Sequence, residues 1–162
     1  MNSSLETRVK DTLYTIDIKH KWLDINPELA DTADFCANYG YSLNESGNTI
    51  IITSKRGPKK YCACLALAST RLDVNKKVKS IMEVSRLSFA SSEETEALTG
   101  MRIGGVTPFG LPSELQIYVD HNVMIAKQLV IGAGVRSAKI IIAPSELTKI
   151  PNLKIIEGLA LG

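Results

Sequence analysis

The spacing of apolar positions divides the chain into short helices and strands. Leu5, Val9 and Leu13 recur at helical intervals, with Ser3 and Glu6 placed as a capping box ahead of them. Ile16, Ile18, His20 and Trp22 alternate with Asp17, Lys19 and Lys21, which predicts a strand and sets His20 at the edge of a core face. Asp31 or Thr32 then caps a helix carrying Phe35, Cys36 and Tyr39, which Gly40 ends. After a turn at 44–47, Thr49–Thr53 is a β-branched strand. The stretch 54–59 makes a hairpin tip broken by Gly57-Pro58, and 61–68 returns as the partner strand.

The second half alternates in the same way. Asp73 caps a helix with Val74, Val78, Ile81 and Met82 on one side, and 87–90 is a short strand. Ser91 and Glu94 form another capping box for a helix closed by Gly100. Strands are expected at 115–119, 130–131 and 139–142, and Pro144 opens a last short helix. Interleaved strands and helices with an antiparallel early hairpin predict a single α+β domain over 1–162, with a mixed, strongly curved sheet and helices packed around it.

Composition narrows the picture in three places. The net charge of +2 is small, but from Ser54 to Lys79 eight basic residues face the single acid Asp73, a local balance of +7. Such a patch suits a phosphate-bearing partner, and equally a solvated hairpin and helix face. The three cysteines, Cys36, Cys62 and Cys64, are an odd number without signal-peptide patterning, which points to a reducing compartment and a cytoplasmic protein. Strand alternation puts Cys62 and Cys64 on one face, as packing thiols rather than ligands, and no Cys/His spacing suggests a metal. No apolar run reaches the roughly 18–20 residues that span a membrane.

The stretch Ile103-Gly-Gly-Val-Thr-Pro-Phe-Gly-Leu-Pro112 is the candidate working site. Three glycines and two prolines fix a backbone that packing alone does not require, whether for a rigid crossover or for close approach of a ligand. Backbone N–H groups at Gly104 and Gly105 can stabilise an oxyanion, and the Thr107 hydroxyl can meet a substrate or bond its own backbone. No side-chain triad is visible. His121 follows Asp120 directly, so the two point to opposite faces of a strand and do not form an acid–base dyad. Asp120 is placed to cap the next turn or to hold the Gly-rich loop.

Several short motifs occur together and in one order. They are Leu72-Asp73, Leu87-Ser-Phe-Ala-Ser-Ser-Glu93, Leu98-Thr-Gly100, Gly104-Gly-Val-Thr-Pro-Phe-Gly110, Ile117-Tyr-Val-Asp120, Gly132-Ala-Gly134 and Ala143-Pro-Ser-Glu-Leu147. Together they resemble the YbaK/prolyl-tRNA-synthetase-associated family of aminoacyl-tRNA editing domains, over about residues 31–161. The resemblance implies a YbaK-like, barrel-like sheet with surrounding helices. It also implies hydrolysis of the ester joining a wrong amino acid to its tRNA. The loop Gly104–Pro108 would border the aminoacyl pocket, with backbone groups and the terminal ribose hydroxyl assisting cleavage and no cofactor or metal needed.

Asn48 and Thr49 would orient the adenosine or amino acid, and Pro108, Phe109, Asp120, Gly132 and Gly134 fall in the motifs expected around the substrate. Arg71, Lys76, Lys77 and Lys79 are the candidate contacts to the tRNA backbone. The partners implied are the 3′ end of an aminoacyl-tRNA and, beyond it, an aminoacyl-tRNA synthetase. One position departs from the pattern. The family usually has Lys before its first core strand, in Lys-Thr/Ser-Leu-Val, where this chain has Asn48-Thr49-Ile50-Ile51. Asn retains a hydrogen-bond donor but no charge. Two readings follow: a free-standing trans-editing deacylase, or a non-catalytic tRNA- or nucleotide-binding relative that lost hydrolysis with the lysine. A hydrolase of small acyl esters or thioesters is a third.

Overall fold

The computed structural model describes residues 2–162. Helix α1 (Asn2–Thr15) is followed by β1 (His20–Asp24), α2 (Thr32–Tyr39), β2 (Gly47–Ser54) and β3 (Tyr61–Leu67). Next come β4 (Arg71–Leu72), a π-helical turn at Val74–Val78 running into α3 (Lys79–Met82), β5 (Leu87–Phe89) and α4 (Ser92–Thr99). The chain closes with β6 (Gln116–Asp120), α5 (His121–Met124), β7 (Leu129–Gly132), β8 (Ala138–Ile142), a 3-10 turn at Pro144–Lys149, β9 (Leu153–Ile156) and β10 (Ala160–Leu161).

The mixed sheet has the order β5-β2-β3-β6-β9, antiparallel at β2–β3 and β2–β5 and parallel at β3–β6 and β6–β9. A second, antiparallel sheet has the order β1-β8-β7, and β4 pairs β10. A bridge from Ser46 to Val130 joins the start of β2 to β7. The mixed α+β architecture is therefore as expected, but among the described residues the strands are not hydrogen-bonded into a closed barrel.

Side-chain alternation explains the layers. Ile51, Ala63, Leu65, Ile117 and Val119 face a central core shared with Val9 and Leu13 of α1 and with Ile131, Ile140 and Ile142 of the smaller sheet. Ile52, Cys62, Cys64 and Ala66 face the other way, against Val78, Met82 and Leu159. On the outer face of the smaller sheet, Phe35 and Cys36 of α2 pack on Val130 and Ile141. Cys62 and Cys64 share a face as expected, with sulfurs 3.8 Å apart, and all three cysteines are buried and free. The hydrogen bond with the Cys62 thiol, and then burial, push the Cys64 pKa well up, so it behaves as packing rather than as a nucleophile.

Other expectations are met or corrected locally. Ser91 and Glu94 form the reciprocal capping box, and Gly40 and Gly100 close their helices with φ of 77°. The capping box expected from Ser3 rests on a side chain outside the described residues. The strand expected from Ile16 starts only at His20. Helix α1 runs to Thr15, and Asp17 takes a positive φ of 57°, so Ile16 and Ile18 enter the core from a turn and His20 is exposed. The ring of His20 bonds only the nearby Ile18 carbonyl, at 2.8 Å, which gives it a local role.

Candidate functional site

The hydrogen-bond parity of β2 leaves a gap in the sheet. Ser54 N–H donates to Lys60 O and Ala68 N–H to Ser46 O, so even-numbered residues of β2 direct their backbone towards β3. Odd-numbered residues direct theirs to the opposite edge. There β5 covers only Ile52–Ser54, with Ala90 N–H reaching Ile51 O. The edge at Thr49 is thus left without a paired strand among the described residues, and a cavity of ≈ 360 Å³ opens beside it.

Seven segments wall this cavity. The start of α2 supplies Asp31 and Thr32, and β2 supplies Asn48, Thr49 and Ile50. Phe89, Ala90 and Thr95 come from β5 and α4, Ile103, Gly104 and Val106 from the Gly-rich loop, and Gly132 and Lys139 from β7 and β8. The floor is largely apolar. The mouth carries Phe89 and Ile103, large apolar side chains left 57% and 53% exposed.

The Gly-rich loop is pinned rather than free. Gly105 N–H donates to Arg102 O at 2.9 Å, and Gly105 O accepts from Gly134 N–H at 2.6 Å, so both its backbone groups are engaged in holding the loop. The N–H groups of Gly104 and Val106 make no hydrogen bond to another described residue, and both residues line the cavity. Gly104 has φ of 92°, and a Cβ there would lie 2.0 Å from Arg136 Nη1. That guanidinium clamps the loop by donating to Ile103 O at 2.9 Å and to the Asp31 carboxylate at 3.1 Å. On the β7 side, a Cβ on Gly132 would lie 2.4 Å from Val106 O, so the loop rests directly on the strand.

The residues singled out from sequence separate accordingly. Asn48, Thr49, Gly104 and Gly132 come together in the cavity wall. Asn48 Oδ1 accepts from the Thr32 hydroxyl at 2.5 Å. Gly105 lies one residue behind the wall. Thr107, Pro108 and Phe109 are buried beneath the loop, and Thr107 Oγ1 has no hydrogen-bond partner among the described residues. Gly134 packs under α1, where a Cβ would meet Val9 at 2.7 Å. Asp120 is a buried structural carboxylate: it caps α5 through Asn122 N–H at 3.3 Å and accepts from Ala160 N–H at 3.1 Å. Arg71, Lys76 and Lys79 are exposed on the far side of β2–β3. There Lys55, Lys79 and Arg86 line a separate groove of ≈ 330 Å³.

The sequence profile of the aminoacyl-tRNA editing domain matches residues 26–150, which take in every wall of the cavity. The chain belongs to this family. It shows 29% identity over 79 residues to the proline–tRNA ligase of Caldicellulosiruptor saccharolyticus, and 37% over 58 residues to that of Bacillus licheniformis. These stretches are 49% and 36% of this chain but only 13% and 10% of those ligases, so the likeness is to a small part of much longer proteins. The fold of this editing domain is shared with the solved protein APE2540, at a TM-score of 0.83 and 23% identity over 94% of this chain and 99% of the other. It is shared too with a candidate trans-editing enzyme for prolyl-tRNA synthetase, at 0.79 and 21% over 97% and 96%.

Lys139 had no place in the sequence reading. It is 6% exposed on the central strand of the smaller sheet, opposite Gly132, and is the one cation among the described residues of the cavity wall. Burial, and then the Arg136 guanidinium, lower its pKa from 10.5 to about 8, against the opposite pull of Asp31 and Cys36. A folded value below the unfolded one means that the ammonium destabilises the fold at neutral pH. That cost is relieved as pH rises from about 8 towards the unfolded value.

Proposed function

We propose that this editing domain is a trans-acting deacylase that binds the 3′ end of a mischarged tRNA and hydrolyses its aminoacyl ester. The observation that supports this most directly is the cavity between the open edge of β2 and the Gly-rich loop, lined by Gly104 and Val106, whose N–H groups make no hydrogen bond to another described residue. Water adds to the acyl carbon, and the developing oxyanion is met by donors already fixed in place. The bond to the ribose oxygen then breaks, and that oxygen takes a proton. The products are a free amino acid and a tRNA with its terminal hydroxyl restored. Thr49 backbone groups and the Asn48–Thr32 pair are placed to orient the amino acid or the ribose. A cytoplasmic setting, where charged tRNA is found, accords with the buried free thiols.

The alternative, a relative that binds without turnover, draws on Asn48 standing where the resemblance expects lysine. Purified protein incubated with a panel of mischarged tRNAs decides between them. The deacylase reading expects at least one tRNA to lose its amino acid faster than in buffer. Binding with no acceleration on any tRNA supports the alternative.

The exposed lip formed by Phe89 and Ile103 fits a nucleobase, since every base has a face that stacks on an aromatic ring. Phe89→Ala is expected to weaken tRNA binding by roughly 10-fold, within the usual 1–3 kcal/mol of a base–aromatic stack. Because the side chain is exposed, the melting temperature should scarcely change. Equal affinity of the two forms in a filter-binding assay removes Phe89 from the site.

The basic residues on the far side supply the phosphate contacts. Affinity for tRNA should fall steeply with added salt, and the Lys76→Ala/Lys77→Ala/Lys79→Ala variant should show a shallower dependence, by about one slope unit per lost phosphate contact. An unchanged slope would assign these lysines to solvent.

A further inference from the structure

Lys139 is a buried ammonium without a bonded carboxylate. The carboxylate that lines the cavity with it, Asp31, is hydrogen-bonded to Arg136, and Lys139 Nζ instead donates to Ala30 O at 2.7 Å and, at the outer limit of a hydrogen bond, to Gly104 O at 3.5 Å. Its charge lies 5.4 Å from the centre of the Phe35 ring. An ammonium has three N–H donors, so at least one remains after these contacts. Burying a charge with only neutral partners is costly, and the cost is lowered by any oxygen-rich ligand that enters beside it. The residue paired with Lys139 is Gly132, on which the backbone of the Gly-rich loop rests directly, so the ammonium and the loop line the same cavity side by side.

We infer that Lys139 contacts the substrate and that its ammonium receives the acyl carbonyl oxygen of the bound ester. This rests on the deacylase reading and adds to it the charged donor that the wall otherwise lacks. The Gly104 contact brings the ammonium against the Gly-rich loop, in the same cavity that Gly104 and Val106 line. As water adds, negative charge grows on that oxygen, and a fixed cation at the spot favours the tetrahedral state over the planar ester. The same charge repels an α-ammonium, which is therefore directed towards Asp31 at the rim. The groups that act on Lys139 are Arg136, Asp31 and Cys36. Among them Arg136 and Asp31 neutralise each other across 3.1 Å, which leaves the ligand oxygen as the determining change when the site fills.

The test uses 3′-(alanylamino)-3′-deoxyadenosine, an amide that presents the same carbonyl and cannot be hydrolysed at the ester position. The protein is labelled at lysine Cε and Nζ, and the Lys139 resonance is titrated with pH in the free and bound forms. Contact with the carbonyl oxygen stabilises the ammonium, so the midpoint should rise on binding. Lys139→Met should bind the amide at least about 10-fold more weakly and slow single-turnover deacylation by more than that, since only the transition state carries the full negative charge. Lys139→Arg, which keeps the charge, should recover part of the binding. The titration uses the wild-type protein, so a variant that fails to fold does not decide the matter. An amide that binds without moving the Lys139 midpoint overturns the inference and leaves the deacylase reading intact. Failure of the wild-type protein both to bind the amide and to deacylate any tRNA overturns both.

Discussion

Gly132→Ala is expected to lower single-turnover deacylation by about 100-fold or more, the loss that a misplacement of roughly 1 Å produces in a positioned site. The new methyl carbon would lie 2.4 Å from Val106 O and 2.9 Å from Gly105 O, both backbone atoms that cannot swing aside. Strand β7 cannot yield, because β8 pairs with it along its length and Ser46 bridges to it at Val130. The loop must lift instead, and Gly105 is tied to Gly134 and Arg102, so the displacement is carried into Gly104 and Val106. Overpacking of this kind costs roughly 1–3 kcal/mol of stability, so loss of activity must be separated from loss of fold. Val123→Ala, buried in the central core on α5 and outside the cavity wall, provides the comparison. It should lose comparable stability and keep turnover within a few-fold. A folded Gly132→Ala protein with undiminished turnover would show that the loop is architectural and does not shape the site.

Gly105→Val, the more obvious change from sequence, addresses a different property. A Cβ on Gly105 points at Val135 C, Arg102 O and Gly134 O, at 3.3–3.4 Å, and not into the cavity. A bulky side chain there tests the packing beneath the loop, whereas Gly132 tests where the loop sits.

Elements defined by local chemistry were readable before the structure. The β2–β3 hairpin has a Gly-Pro break between two β-branched or apolar runs, α4 carries its own capping box and closing glycine, and α2 its closing Gly40, whereas the Asp31 side chain at the head of α2 makes no capping bond and is held by Arg136 instead. Alternation also set the shared face of Cys62 and Cys64. The failures lie where a pattern has two meanings. Ile16 and Ile18 alternate as a strand does, yet the positive φ at Asp17 makes that stretch a turn leaving α1. Strands β4, β9 and β10 are two to four residues long, too short to show a period, and exist only through distant partners.

The site was half legible for the same reason. Glycines and prolines mark the loop because their backbone constraints are local. Lys139, within Ala138–Ile142, looks like the solvent-facing residue of an alternating strand. It is buried only because the chain around Ala30, 109 residues earlier, folds over that face. Asp120 shows the converse: its motif suggested the substrate, while its two oxygens are occupied by Asn122 and Ala160 N–H.

Moving the lysine from β8 to β2 should separate the need for a cation from the need for one particular position. Asn48 and Lys139 line the same cavity, and the resemblance expects lysine at the first of these and not the second. Asn48→Lys alone should lower turnover, because it breaks the 2.5 Å hydrogen bond from Thr32 and places a second ammonium beside the first. Lys139→Met alone should also lower it, by removing the only cation among the described residues of the wall. If the cavity needs one ammonium that can reach the acyl oxygen, the double variant should be faster than Lys139→Met, because each change relieves the fault in the other. The coupling expected from residues sharing one site is about 0.5–3 kcal/mol, or roughly 2- to 150-fold in rate. It is measured as the single-turnover deacylation rates of all four proteins on the same mischarged tRNAs. Additive losses would mean that the ammonium must come from β8, and that Asn48 contributes through Thr32 alone. Activity in the Asn48→Lys protein with an inert wild type would instead make the natural chain a binding relative of the deacylases.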